Sequence, residues 1–134
     1  MDKATNILLL GYLEKSKAKL KVAQRLLEDG DYDDAVSRAY YAVFHAAQAV
    51  LLMEGLSAKT HQGLLNLFGL HMIKTGKFDK KFGKYLTNLK DDREHSDYEV
   101  YSAVDQETAE YALREAQEFV SATDQYIEEL RKAH

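Results

Sequence analysis

From Asp33 to Gly55 the chain reads as one helix with almost no solvent face. On a helical wheel Ala35, Ala39, Ala42, Ala46, Ala49 and Met53 form one stripe. Val36, Tyr40, Val43, Ala47 and Val50 form the next, and Ser37, Phe44 and Leu51 fill a third. A helix that is apolar nearly all round belongs inside a bundle. Its alanine seam lets a neighbouring helix approach closely, toward the short end of the roughly 8–10 Å interaxial range.

The rest of the pattern is built around that cylinder. Leu9, Tyr12, Leu13, Leu20, Ala23, Leu26 and Leu27 recur at three- and four-residue steps and predict a first helix from about Thr5 to Asp29. Its other face carries Lys15, Lys17, Lys19, Lys21 and Arg25. Gly30 is placed to stop it and Gly55 to stop the core helix. Asp31 or Asp33 caps the core helix between them. A third helix is expected from about His61 to Lys74, with Ser57 or Thr60 as its cap and Leu64, Leu65, Phe68 and Met72 buried. Asp79 caps a fourth, with Phe82, Tyr85, Leu86 and Leu89 on its apolar stripe. The segment Glu94 to Tyr101 breaks the period and reads as a loop. Asp105 starts the last helix, whose stripe runs through Ala109, Ala112, Leu113, Ala116, Phe119, Val120, Ile127 and Leu130. Four long helices and one shorter one, joined by short turns, predict an all-α, up-and-down antiparallel bundle forming a single domain over residues 1–134.

Composition narrows the options. There are no prolines or cysteines and only seven glycines, which suits a helix-rich chain and excludes disulfides and thiolate chemistry. Absent cysteine also agrees with a cytoplasmic location, which is the expectation. The run Ile7 to Leu10 is too short for a signal-peptide core, and no stretch predicts a membrane span. The net charge of −4 repels nucleic acid as a whole, so binding RNA would require a local basic cluster.

Candidate chemistry lies in inward polar groups. Arg38, Tyr41, His45 and Gln48 interrupt the core helix on one side. A buried guanidinium must be paired, so Arg38 is expected to meet a carboxylate, a carbonyl, a polar cavity or an interface. Arg93 falls four residues beyond Leu89 on the apolar stripe and is expected to point inward too. Lys59, Thr60 and His61 stand at a helix start, which favours anions. Asp97 and Tyr98 follow Arg93. Two arginines, a helix start and several aromatics suit a phosphate or nucleotide. Alternatively, Asp97 pairs with an arginine and merely locks the chain down. Asp29, Asp31 and Asp33 imitate the start of a calcium loop, but its glycine and glutamate positions hold Asp34 and Tyr40. The stretch after Gly30 imitates a tetratricopeptide hairpin, yet no second copy follows. No metal, cofactor or phosphate-loop motif is found, and neither metal nor cofactor is expected.

The words SRAYYAVFHAA (37–47), KTH (59–61) and Arg93-x-x-x-Asp97-Tyr98 resemble the HEPN superfamily, in particular its small prokaryotic stand-alone branch. The resemblance covers nearly the whole chain. It implies a helical bundle, a homodimer with a polar cleft between the copies, and a nucleotide or RNA ligand. It further implies partnership with a minimal nucleotidyltransferase in a toxin–antitoxin pair. Active toxins of the superfamily are metal-independent endoribonucleases, with an arginine followed after four to six residues by a histidine. Arg93 matches that arginine; the histidine would fall at 98, 99 or 100, where the chain has Tyr98, Glu99 and Val100. Acid–base work would then pass to His95, His45, His61 or Tyr98. Three readings follow: a binding and partner module, an endoribonuclease using Arg93, with His95 as a candidate acid–base group, and a structural domain without ligand.

Overall fold

Helix starts and stops are set by local chemistry in this computed structural model. It describes the chain apart from residues 99, 101–103 and 134, and gives only the backbone of Tyr98. Helix α1 spans Lys3–Glu28 and α2 spans Tyr32–Met53. Helix α3 spans His61–Phe68 and continues as a π-helical turn, Gly69–Ile73. Helix α4 spans Lys80–Tyr98 and α5 spans Gln106–Lys132. The side chains of Asp2, Thr60, Asp79 and Asp105 accept backbone N–H groups at helix starts, at 2.7–2.9 Å. Such caps satisfy donors that have no partner inside the helix. Asp31 precedes α2 but makes no such side-chain bond. Gly30 and Gly55 end α1 and α2 in the left-handed conformation, with φ of 82° and 74°.

Helix α2 is the centre, packing against α1, α3, α4 and α5. Eleven of its residues are buried, including the alanine seam from Ala35 to Ala49 and the stripe Val36, Tyr40, Val43, Ala47 and Val50. Close approach to α1 is visible in one bond: the buried Ser16 hydroxyl of α1 donates to the Ala42 carbonyl at 2.7 Å. Phe68, Phe78, Phe82 and Phe119 form an aromatic cluster where the α3 segment, α4 and α5 meet. The antiparallel all-α bundle expected from the pattern is the fold observed.

Three expectations need correction. The third helix does not run unbroken to Lys74, because its last turn widens and Lys74 N–H bonds back to Gly69 at 2.9 Å. The segment from Glu94 is no loop up to Tyr98, because α4 continues through it. Two i,i+4 pairs, Lys90–Glu94 at 2.6 Å and Arg93–Asp97 at 3.8 Å, support that extension. Arg38, expected inside, is exposed. Neighbouring helices cover α2 on every side except one narrow seam, and Arg38 stands at the open end of it.

Candidate functional site

On α2, positions 38, 41, 45 and 48 follow one another at three- and four-residue steps and make a single seam. Arg38 is exposed, whereas Tyr41, His45 and Gln48 are half-buried. From one side Tyr12 of α1 stacks on His45, rings 6.2 Å apart and 11° from parallel. From the other, the start of α3 brings in His61, whose ring stacks on Phe44 at 4.4 Å. The Thr60 cap fixes where that helix starts and so where His61 sits.

Arg93 of α4 closes the arrangement. Its side chain is only 12% exposed. One Nη1–H donates to the Tyr41 hydroxyl at 2.8 Å. The guanidinium carbon lies 5.3 Å from the Tyr40 ring centre and 5.6 Å from that of Tyr41, within cation–π range. Nε is buried without a hydrogen-bond partner among the described residues, since the Asp97 carboxylate stops 3.8 Å away. An arginine carries five N–H donors. Tyr41 occupies one, and a buried donor left unpaired is costly, so this guanidinium is suited to an added acceptor.

The two half-buried histidines differ in hydrogen-bond role. Tyr40 is fully buried, and burial raises its hydroxyl well above the usual tyrosine range. It therefore stays protonated, and because that hydroxyl has no other acceptor among the described residues it is the donor in its 2.6 Å hydrogen bond to His61 Nδ1. His61 is then neutral, with its remaining proton on Nε2, where it acts as a donor. His45 is the converse. Its Nδ1 donates to Gln48 Oε1 at 2.8 Å, leaving Nε2 as an acceptor. Burial is the main cause lowering the pKa of both from the ordinary 6.5. Lys15, Lys19 and His61 add to the effect at His45, and Arg93 and Lys90 add to it at His61.

Because the folded values lie below 6.5, the unfolded chain takes up protons first as the pH falls. The stability these groups lend is full above the unfolded value and is lost as the pH drops toward the folded ones. Asp92 and Glu115, raised by burial, act in the opposite direction at lower pH. The expected result is a melting temperature that falls between about pH 7 and pH 5 less steeply in His45→Gln than in wild type. Thermal melts across that range check it, and identical slopes would refute it.

The candidate residues Tyr41, His61 and Arg93 therefore meet, with His45 one turn along the seam from Tyr41. Arg38, Lys59 and His95 stay exposed, and none of them hydrogen-bonds to the cluster among the described residues. Asp97 lies at its rim, 37% exposed. The side chain of Tyr98, also a candidate, lies outside the described residues, as does Glu99. Tyr40, Phe44 and Tyr12 belong to the cluster but read as core in the sequence, since aromatics at helical spacing carry no mark of a site. The site is an open polar and aromatic face. Cavities of about 910 and 660 Å³ lie elsewhere, between α4 and α5 and between α1 and α5.

Comparisons with known proteins agree with this fold. A Methanocaldococcus jannaschii protein described as a candidate toxin is 35% identical over 118 residues, spanning 88% of this chain and 87% of its own. A UPF0332 protein of Thermotoga maritima is 34% identical over 119 residues, spanning 89% and 90%. A UPF0332 protein of Pyrococcus horikoshii is 39% identical over 82 residues, which span 61% of this chain and 58% of that protein. A crystal structure of a Thermus thermophilus protein shares the fold with a TM-score of 0.75 at 22% identity, covering 88% of this chain and 97% of that one. The model of the HEPN domain matches residues 10–126, nearly the whole bundle. The chain belongs to the HEPN family.

Proposed function

We propose that this HEPN protein is a nucleotide- or RNA-binding module of a toxin–antitoxin-type pair, working as a homodimer beside a minimal nucleotidyltransferase. One observation carries the ligand class: Arg93, held by Tyr41 at 2.8 Å, keeps a buried Nε–H without an acceptor among the described residues. A phosphate oxygen is the acceptor that a guanidinium fork fits best. His61 Nε2–H adds a second donor that stays neutral at physiological pH. Tyr41 and Tyr12 offer ring faces for a base, the usual means of reading single-stranded RNA. Lys15 and Lys19, whose charge is felt at His45, supply the local positive charge that the acidic whole lacks. The toxin–antitoxin setting rests on the description of the Methanocaldococcus jannaschii relatives.

Calorimetric titration with adenosine nucleotides and with a short single-stranded RNA tests the ligand class. Binding that weakens as salt rises is the expected result, since neutralised phosphates release counterions. Failure of both ligands to bind at low salt would overturn it. Co-purification with a nucleotidyltransferase encoded next to this protein tests the partner.

His45 favours a second reading, metal-independent RNA cleavage. Its Nε2 lone pair has no partner among the described residues, and its ring lies 6.4 Å from that of Tyr41, which Arg93 contacts. As general base it would take the proton of the 2′-hydroxyl. Tyr40 instead holds His61 in the tautomer that cannot do so.

A further inference from the structure

Arg93 and Asp97 stand one turn apart on α4, so their side chains leave the helix on the same face. The Asp97 carboxylate lies 3.8 Å from Arg93 Nε, a gap too wide for a hydrogen bond. On one side of the gap is a buried donor without an acceptor, and on the other a carboxylate without a donor, both among the described residues. The Arg93 side chain is 12% exposed and the Asp97 side chain 37%, so a ligand reaching Arg93 Nε comes in past Asp97. Glu94, the other carboxylate on this turn, is already taken up by Lys90 at 2.6 Å.

The two groups require different things of one ligand. Arg93 Nε–H requires an acceptor, which a phosphate oxygen supplies. An ionised carboxylate only accepts, and a phosphate diester has no proton to donate. Asp97 therefore repels a bound phosphate unless the ligand brings a donor with it. Along a polynucleotide strand one group meets that condition. The 3′- and 5′-oxygens are esterified and the amino groups of the bases lie on the far side of the sugar, so the 2′-hydroxyl is the donor nearest the phosphate. It is present in RNA and absent from DNA.

We infer that Asp97 is the residue that selects the sugar, accepting a hydrogen bond from the ribose 2′-hydroxyl beside the phosphate on Arg93, so that the site prefers ribose to deoxyribose strands. This rests on the reading of the cluster as a phosphate site and adds the sugar to it. Fluorescence anisotropy on the full chain tests it with labelled single strands of one sequence: RNA, 2′-fluoro RNA and DNA. Fluorine in place of the hydroxyl keeps the RNA-like sugar shape and removes the donor. The wild type is expected to bind RNA about tenfold or more tighter than either other strand. A site built around a hydroxyl rejects the analogue lacking it, because its own acceptor is then left unpaired. Asp97→Ala is expected to bring all the strands within about twofold of one another, by weakening RNA without weakening the others. Alanine is a good helix former and the pair it removes is partly exposed, so the fold is kept, which a thermal melt checks. A wild type that binds every strand equally would overturn the inference and leave the RNA-binding reading standing. So would an Asp97→Ala variant that weakens or tightens all strands alike, because Asp97 would then only orient Arg93 or compete with the phosphate. A wild type that binds none of them would overturn both.

Discussion

Arg93→Met is expected to weaken RNA binding while the bundle still folds. The Arg93 side chain is 12% exposed, and its guanidinium is held by one hydrogen bond to Tyr41 and by two aromatic rings. Taking such a charge out of water costs free energy that these contacts only partly offset, and apolar replacement of buried charges is often neutral for stability. Methionine preserves most of the volume, and the Tyr41 hydroxyl, half-buried, can turn to water. Stability is therefore expected to change by less than about 1 kcal/mol. Binding has no such substitute. A hydrogen bond to a charged group contributes about 1.5–3 kcal/mol, so affinity for single-stranded RNA should fall about 10- to 100-fold. The salt dependence should weaken by about one phosphate contact. Arg93→Lys keeps the charge without the planar fork and should recover only part of the loss. Arg38→Met is the control, since Arg38 is exposed and apart from the cluster. Equal affinity in wild type and Arg93→Met would remove Arg93 from the site.

Phe119→Ala is expected to be the most damaging core substitution. Phe119 is fully buried, with the Phe68 ring at 5.4 Å and the Phe82 ring at 5.9 Å. It joins α5 to the α3 segment and to α4 at one point. Removing a buried phenyl group costs about 3–5 kcal/mol through lost transfer free energy and the cavity left behind. Domains of this kind hold only about 5–15 kcal/mol in total. Phe119→Leu, closer in volume, should cost less than about 1.5 kcal/mol. Denaturant midpoints of the two variants test the contrast, and similar midpoints would mean that the cluster closes around the gap.

Much of the fold was legible along the chain. Helical periodicity located five helices, because burial of one face imposes it on any bundle. The caps at Thr60, Asp79 and Asp105 and the glycine stops at 30 and 55 were legible because each acts within a few residues. The inward direction of Arg93 followed from its place four residues past Leu89. The extension of α4 was missed because i,i+4 ion pairs can hold a helix together after its apolar period has ended. The π-helical turn left no mark in the pattern at all.

The site was legible only in part. The sequence by itself determined that this is an all-α bundle of the HEPN family built on one apolar helix, with an arginine directed inward from the fourth. Tertiary packing alone decided that Arg38 faces solvent while Tyr41 is half-covered, because a wheel shows which residues share a line but not which line neighbours leave open. It also decided that Tyr40, apparently a plain core residue, bonds His61 and so determines which nitrogen of that ring carries the proton. Those two residues are far apart in sequence, and only the packing of α3 onto α2 brings them within hydrogen-bonding distance.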